Sequence, residues 1–303
     1  MSTIPARAAG AIALAGRTIA RIGYGMGALT RAVSAGHLTG DAAVSLLRHA
    51  KEEGVQFFDT AEFYGQGLAN QLLARAFGSH RDDVVLATKV GARPVPGAVP
   101  MTAAQRPDEL RQAVEANLRS LGTDRLDLVH LRRMDMPPGL VITDPQQQVD
   151  LDDQLAVLEA LRESGTIGAI GLSHVSLAQL ERALPAGISA VSNIYTLLDR
   201  THEPLLRLAE TNAIVWAPYF PLGGGGWAGL PRVADAPEVT RAAQELHATP
   251  SQVGLAWLLA HSPQSLAIAG TADVDHLDEN IAAAALRLPP EVLARLDTAD
   301  ARP

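Results

Sequence analysis

The sequence contains no cysteine among its 303 residues. This absence excludes disulfides, thiolate metal ligands and cysteine nucleophiles, and it is typical of a reducing compartment, so we expect a cytoplasmic protein. Runs of Lys or Arg are also missing, and the formal net charge of -8 argues against a nucleic-acid-binding surface. No apolar run approaches the ~18 residues of a membrane span, so no membrane partner is expected.

An apolar segment at residues 8–16 follows Arg7 and has two interpretations. It could be the core of a signal peptide, but it is short for that role and Arg17 interrupts it. We therefore favour an N-terminal β-hairpin in which Ala15, Gly16 and Arg17 turn the chain.

The rest of the chain repeats one pattern, a short apolar strand followed by an amphipathic helix. Strands are predicted at residues 19–25, 57–60, 84–89, 126–132, 167–173, 188–194, 213–218 and 266–270. The helices are predicted at residues 40–53, 68–77, 107–121, 151–164, 177–184, 204–211, 236–261 and 274–285. Short apolar strands separated by helices are typical of a parallel sheet covered by helices. The pattern predicts an α/β fold, a (β/α)8 TIM barrel with the N-terminal β-hairpin and a C-terminal helical extension, and a single domain over residues 1–303.

Charged residues occupy the ends of three neighbouring predicted strands. They are Asp59, Lys89 and Arg132. Because the strand ends of a TIM barrel converge on its active site, and because buried charges are costly unless paired, we expect Lys89 to pair with Asp59. Tyr64 follows Asp59 closely, and nearby cations would favour its phenolate form, so it is the predicted general acid.

Several motifs together resemble those of the aldo-keto reductases, from residue 23 to about residue 288. The motifs are FFDTAEFYG, VVLATKVG, RLDLVHLRRMD, IGAIGLSH, VSNIYTLLDR, PYFPLGGG, and IAGT followed by DHLDEN. The resemblance implies a barrel without metal, an extended nicotinamide cofactor across the strand ends, and hydride transfer to a small-molecule aldehyde or ketone. It assigns catalytic roles to Asp59, Tyr64 and Lys89, but Arg132 stands where the family usually has a histidine.

The substitution by Arg132 changes the expected chemistry. Arginine can polarise an oxygen but cannot relay a proton at ordinary pH, so Tyr64 is the sole candidate donor unless His130, one layer deeper on the same strand face, assists. Arg132, together with the sequences PYFPLGG and GYG, also resembles the branch of the family that includes bacterial pyridoxal reductases, which makes pyridoxal the candidate substrate and pyridoxine its product. The alternatives are a general aldehyde, ketone or imine reductase and a cofactor-binding regulatory subunit with little turnover. Trp227 is expected to line the substrate pocket.

The resemblance also implies cofactor contacts. Ser173 and His174 occupy the place of a carboxamide-binding Ser-Asn pair, Ser192 replaces a glutamine, and Tyr195 is expected to stack on the nicotinamide. Residues 221–224 would bring backbone N–H groups to the pyrophosphate. The complete expected set is Gly25, Met26, Asp59, Ser173, His174, Ser192, Tyr195, Pro221, Leu222, Gly223, Gly224, Gly270, Thr271, Ala272, His276, Glu279 and Asn280.

The resemblance favours NADPH as the cofactor. Many members place Lys or Arg around its 2'-phosphate, whereas this chain has Gly270, Ala272 and His276 there, and Asp273 and Asp275 add negative charge. NADH is therefore not excluded on electrostatic grounds.

Two rival interpretations are rejected. Residues 23–28 formally fit the G-x-G-x-x-A dinucleotide fingerprint, but no helix is expected to begin there, so a Rossmann domain is not predicted. A hydrolytic barrel with His130, His174 and Asp59 as metal ligands lacks the usual ligand spacing, and two nearby cations would repel the ion, so no metal is expected.

Overall fold

The computed structural model describes residues 5–78, 81–96, 101–137, 141–224 and 229–299. The strands within them are β1 (Ala11–Leu14), β2 (Arg17–Ala20), β3 (Tyr24–Gly25), β4 (Phe57–Asp59), β5 (Val85–Val90), β6 (Ala92–Pro94), β7 (Met101–Ala103), β8 (Leu126–Arg132), β9 (Ile167–Ser173), β10 (Ile188–Ser192) and β11 (Val215–Trp216). The main sheet is parallel and has the order β3-β4-β5-β8-β9-β10-β11.

Helices alternate with the strands of this sheet. They are α1 (Gly27–Ser34), α2 (Gly40–Glu52), α3 (Leu68–Phe77), α4 (Pro107–Leu121), α5 (Leu151–Glu163), α6 (Leu177–Ala183), α7 (Glu203–Thr211), α8 (Pro237–Glu245), α9 (Pro250–His261), α10 (Val274–Ala282) and α11 (Pro290–Asp297). Several begin at side chains that accept a hydrogen bond from an unpaired amide of the first turn. Thr39 caps α2 in this way, and Ser176 and Thr249 form capping boxes at the starts of α6 and α9.

The segment at residues 265–268 closes the sheet into a barrel. Ser265 bridges to Trp216 in the edge strand β11, and Ala267 bridges to Ile22 just before the other edge strand, β3, both in parallel orientation. The amide of Leu266 donates to the carbonyl of Trp216, and the amide of Gly23 donates to that of Ala267, each at 2.8 Å. This segment occupies the eighth strand position, and the predicted (β/α)8 barrel is confirmed.

Side chains alternate between the two faces of the sheet, as a strand period of two requires. Inward residues such as Phe57, Val85 and Leu128 form a small cluster that fills the barrel. The hairpin β1–β2 contributes Ile12 and Ile19 to this cluster, so it closes the N-terminal end of the barrel and leaves the carboxyl ends of the strands as the open end. Outward residues form the larger core beneath the helices.

The structure differs from the sequence predictions in four places. The strand predicted at residues 19–25 is divided, because residues 19 and 20 belong to β2 of the hairpin and Tyr24–Gly25 form the barrel strand β3. Helix α1 begins at Gly27, so the expectation that no helix opens after the glycine-rich segment was wrong. The barrel topology nevertheless upholds the rejection of a Rossmann domain. The short antiparallel pair β6–β7 lies in the loop predicted after β5. The eighth strand position has isolated bridges rather than a continuous strand. Helix α11 packs on α8 and supplies the C-terminal helical extension.

The helices of the described part are too short or too polar to cross a bilayer.

Candidate active site

Three charged residues meet at the open end of the barrel because neighbouring strands carry them there. Asp59 ends β4, Lys89 lies near the end of β5, and Arg132 ends β8. The β5–β8 register pairs Lys89 with His130, and the β8–β9 register pairs Arg132 with Ser173. The side chains of Lys89 and Asp59 are 2% and 5% exposed, so both charges are removed from bulk water.

Lys89 and Asp59 form the expected buried ion pair. The Nζ of Lys89 lies 2.5 Å from Oδ1 of Asp59 and donates a second hydrogen bond, of 3.0 Å, to the carbonyl of Thr60. The same Nζ lies 5.1 Å from the centre of the Tyr64 ring. The prediction that these three residues come together is thus met by the geometry, with Tyr64 partly exposed above the buried pair.

Lys89 remains a cation in this environment. Burial alone lowers the pKa of Lys89, but the carboxylate of Asp59 and the hydroxyl of Tyr64 outweigh burial, and the net pKa is raised above its ordinary value. An ammonium therefore lies 5.1 Å from the centre of the Tyr64 ring, where its charge favours the phenolate form of that side chain.

Arg132 brings a second buried cation to the site. It is 6% exposed, its Nη1 donates to Oγ of Ser173 at 3.4 Å, and its guanidinium lies 5.4 Å from the centre of the Tyr219 ring. Its Nε has no hydrogen-bond partner, and no carboxylate of the described residues pairs with it. The open end of the barrel therefore holds a guanidinium charge that the protein leaves uncompensated.

His174 has a different role from the one expected. Its Nδ1 accepts a hydrogen bond from the Tyr219 hydroxyl, and its Nε2 donates to the carbonyl of Met136, both at 2.8 Å. Burial, followed by the charge of Arg132, lowers the pKa of His174 to about 4, so the ring is neutral. Because both ring nitrogens are engaged, His174 is not free to hold a carboxamide, and it orients Tyr219 instead.

Tyr195 does not reach the site, and the expectation that it stacks on a nicotinamide is wrong. Its ring is fully buried on the helix side of the sheet, 6.0 Å from Trp257 in a stacked arrangement, and its hydroxyl donates to Glu203. Tyr219, like Tyr64, faces the open end of the barrel. Along residues 191–195, the period of two places Tyr195 on the outer face with Val191, a signal that identifies its orientation.

His130 lies inside the barrel below the ion pair. Its Nδ1 donates to the carbonyl of Leu172 at 3.2 Å, and its Nε2 has no partner. Burial lowers the pKa of His130 to about 4. The ring is therefore neutral at ordinary pH and 0% exposed, as a core histidine would be.

A cleft of about 480 Å³ opens beside Asp59 and Tyr64. Its walls come from the segments that follow β3, β4, β11 and the closing segment, together with α10. Of the expected cofactor set, the lining residues are Gly25, Asp59, Pro221, Leu222, Gly223, Gly224, Gly270 and Asn280. The sequence did not identify seven further residues that line the cleft: Gly27, Ala28, Arg31, Tyr219, Phe220, Ile268 and Ala269.

Two glycines are required where the cleft begins. A Cβ on Gly270 would lie 2.0 Å from the carbonyl oxygen of Gly25, and a Cβ on Gly25 would lie 2.8 Å from that of Ile268. Any side chain at either position would force the backbones apart. Gly223 has a φ of 72°, and a Cβ there would meet the carbonyl oxygen of Pro231 at 1.9 Å, so the loop after β11 also depends on glycine.

The other expected cofactor residues do not line this cleft. Met26, Ser173, His174 and Ser192 are buried. On the segment that leads into α10, the carbonyl of Thr271 accepts a hydrogen bond from the Tyr24 hydroxyl. The other expected cofactor residues in and after this segment are partly or fully exposed, and they are Ala272, His276 and Glu279. Trp227 lies outside the described residues.

Within the described residues, no three His, Cys, Asp or Glu side chains lie close enough together to hold a metal ion.

Comparison with known proteins adds evidence of descent. The sequence profile of the Aldo/keto reductase family matches residues 21–301. Pyridoxine 4-dehydrogenase of Escherichia coli (strain K12) is 39% identical over 256 residues, which cover 84% of this chain and 85% of the relative. An uncharacterised oxidoreductase of Schizosaccharomyces pombe is 31% identical over 310 residues, covering 98% of this chain and 92% of the relative.

Among solved structures, the aldo/keto reductase from Klebsiella pneumoniae in complex with NADP and acetate matches with a TM-score of 0.77 at 25% identity, over 96% of each chain. The family profile spans nearly the whole barrel, including the segments that carry Asp59, Tyr64 and Lys89. The chain therefore belongs to the aldo/keto reductase family.

Proposed function

We propose that this oxidoreductase reduces an aldehyde or ketone to an alcohol with NADPH, and that pyridoxal is its substrate. The observation that carries the reaction type is the buried Lys89–Asp59 pair directly beneath Tyr64. Family membership and the similarity to a solved reductase in complex with NADP support the choice of cofactor.

The cleft fits a dinucleotide in size and chemistry. Its volume of about 480 Å³ is within the range of ligand pockets, and glycines line its walls on two sides. Gly270 and Asn280 would lie along the adenosine side, and Tyr219 would offer its ring to the nicotinamide. When bound, NADPH supplies the hydride that reduces the carbonyl carbon.

Tyr64 performs the matching proton step. Its hydroxyl donates a proton to the carbonyl oxygen as that oxygen gains negative charge, and the product is the alcohol. The phenolate left behind is stabilised by the ammonium of Lys89, which Asp59 and the Thr60 carbonyl hold in place. Placement of a fixed cation where charge develops is among the strongest forms of catalytic stabilisation.

Arg132 supports a substrate that carries an acidic hydroxyl beside its carbonyl. Its guanidinium is uncompensated and partly desolvated, so an oxyanion would remove the cost of burying that charge. Pyridoxal has a phenolic hydroxyl next to its aldehyde. The relative at 39% identity is named pyridoxine 4-dehydrogenase, which supports the same choice.

The test measures NADPH oxidation by the purified protein with matched aldehyde pairs. Pyridoxal would be measured beside two matched pairs, 3-hydroxypyridine-4-carbaldehyde with pyridine-4-carbaldehyde and salicylaldehyde with benzaldehyde, because the members of each pair differ only in the adjacent hydroxyl. We expect kcat/KM to favour the hydroxylated members by about tenfold or more, the effect of one charge-assisted hydrogen bond. The variant Arg132→His should reduce this preference while it retains turnover of the simple aldehydes.

Equal turnover of both members of each pair would identify a general carbonyl reductase and would remove pyridoxal as the preferred substrate. Tight NADPH binding without turnover of any aldehyde would contradict the proposed reaction and would favour a regulatory role.

A further inference from the structure

The cleft has a local charge opposite to that of the whole protein. The chain carries a formal net charge of -8, yet the charged side chains that line the cleft in the described residues are Asp59 and Arg31. Asp59 is neutralised by Lys89 at 2.5 Å. Arg31 is therefore the uncompensated charge of the cleft wall, and the wall is positive.

Arg31 is held close to the cleft by the helix that carries it. It lies one turn into α1, and its Nη1 is 3.5 Å from the position that a Cβ of Gly27 would occupy, so the guanidinium folds back over the start of its own helix. Helical side chains point toward the N-terminus of their helix in this way. Gly27 and Ala28, on the same turn, line the cleft as well.

The guanidinium of Arg31 makes no hydrogen bond or ion pair with any described residue, although most arginines of the protein are engaged by carboxylates or carbonyls. Arg75 contacts Asp41, for example, and Arg182 contacts Asp150 and Asp152. A planar cation that is left unpaired on the wall of a ligand cleft is suited to bidentate contact with a phosphate.

We propose that Arg31 binds a phosphate group of the nicotinamide dinucleotide, either the pyrophosphate or the 2'-phosphate. This assignment rests on the proposed function. Arg31 would supply the cation that the segment leading into α10 lacks, since Gly270 and Asn280 line the cleft there and carry no charge. Of the nearby acids, Asp273 accepts from the amide of His276 at 3.0 Å and so caps α10.

The experiment is isothermal titration calorimetry of NADP+ and NAD+ with the native protein, Arg31→Gln and Arg31→Lys. The matched control is Arg111→Gln, because Arg111 is exposed on α4, away from the cleft, and its loss changes the net charge equally. We expect Arg31→Gln to weaken NADP+ binding about tenfold, or about 1.4 kcal/mol, and to flatten the salt dependence of the dissociation constant. Arg31→Lys should keep part of the affinity, and Arg111→Gln should keep all of it.

The two dinucleotides distinguish the two phosphates. An equal loss for NADP+ and NAD+ supports a contact with the pyrophosphate, and a loss for NADP+ alone supports a contact with the 2'-phosphate. The assignment is overturned if the Arg31→Gln variant folds normally and binds both dinucleotides as tightly as the native protein does. Native protein that binds neither dinucleotide overturns the proposed function and the assignment with it.

Discussion

The buried pair of Lys89 and Asp59 should show strong energetic coupling in a double-mutant cycle. Lys89→Met keeps the length of the side chain and removes its charge, and Asp59→Asn keeps the shape of the carboxylate and removes its charge. Because the two side chains are 2% and 5% exposed, each single variant leaves one buried charge without its counterion. Removal of one partner of a buried pair typically costs about 3–5 kcal/mol.

The double variant has no stranded charge. It still loses the hydrogen bond of 3.0 Å from Lys89 to the Thr60 carbonyl, a charged hydrogen bond whose loss costs about 1.5–3 kcal/mol. The two single variants together should cost about 6–10 kcal/mol, so we expect a coupling free energy of at least about 3 kcal/mol.

Urea unfolding of the native protein and the three variants measures each free energy of unfolding from the midpoint and the m-value. A double variant that is as unstable as the sum of the two single variants would refute the reasoning, because it would mean that the two charges do not compensate each other. A changed m-value in one variant would mean that the compactness of the unfolded or native state, or two-state unfolding itself, had changed, and it would call for repetition with Lys89→Leu.

Three further predictions concern the site and the interior histidines. Tyr64→Phe should lower kcat by about 10²–10⁴-fold and leave the dissociation constant of NADP+ unchanged, because only the donated proton is lost; single-turnover kinetics and calorimetry check this. His174→Leu and Tyr219→Phe should raise the KM for NADPH by a similar factor, since each removes the same hydrogen bond, and the combined variant should add little; steady-state kinetics test this. Burial lowers the pKa of His130 and of His174 to about 4, below the ordinary 6.5, so the unfolded chain binds more protons between these values. The free energy of unfolding should therefore fall as the pH falls from about 6.5 to about 4, and His130→Leu should reduce that slope in urea titrations at several pH values.

The sequence predicted the barrel and the Lys89–Asp59 pair because both depend on local patterns. The repeated strand-then-helix pattern specifies a parallel sheet wrapped by helices, and the predicted bounds of α3, α4, β8 and β9 agree with the structure. Asp59 and Lys89 could be paired because each ends an apolar strand and the two strands are neighbours in the chain.

The expectation for Tyr195 was wrong because it was drawn from the position of Tyr195 at a strand end and not from the period of two along the strand. Val215 packs inside the barrel, so Tyr219, four residues later, faces inward as well. Val191 packs beneath the helices, and Tyr195, four residues later, follows it outward. The alternation of two along each strand contained the correct answer.

Helix α1 and the cation it carries could not be found by the same means. Glycine is a poor helix former, and the segment at residues 23–27 is rich in it, so local propensity favours a loop. Packing supplies the stability that local propensity does not. Leu29 is fully buried in the core. A Cβ on Gly65 would lie 2.7 Å from the Thr30 side chain, so α1 packs closely against the loop after β4. The role of His174 was likewise out of reach, because its partners Met136 and Tyr219 lie 38 and 45 residues away.

The closing segment of the barrel has a consequence for how the protein is made. Arg21 donates hydrogen bonds to the carbonyls of Leu259 and Ser265, the second of which lies 244 residues further along the chain, and the Tyr24 hydroxyl donates to Thr271, 247 residues further. Contacts of such long sequence separation form late, because the intervening chain must be ordered first. During synthesis on the ribosome, β3 emerges long before the segment at residues 265–268, and one edge of β3 stays unpaired until that segment is made. The cleft, which needs both Gly25 and Gly270, is therefore assembled only after synthesis has passed α10, and no shorter nascent chain can bind the ligand there.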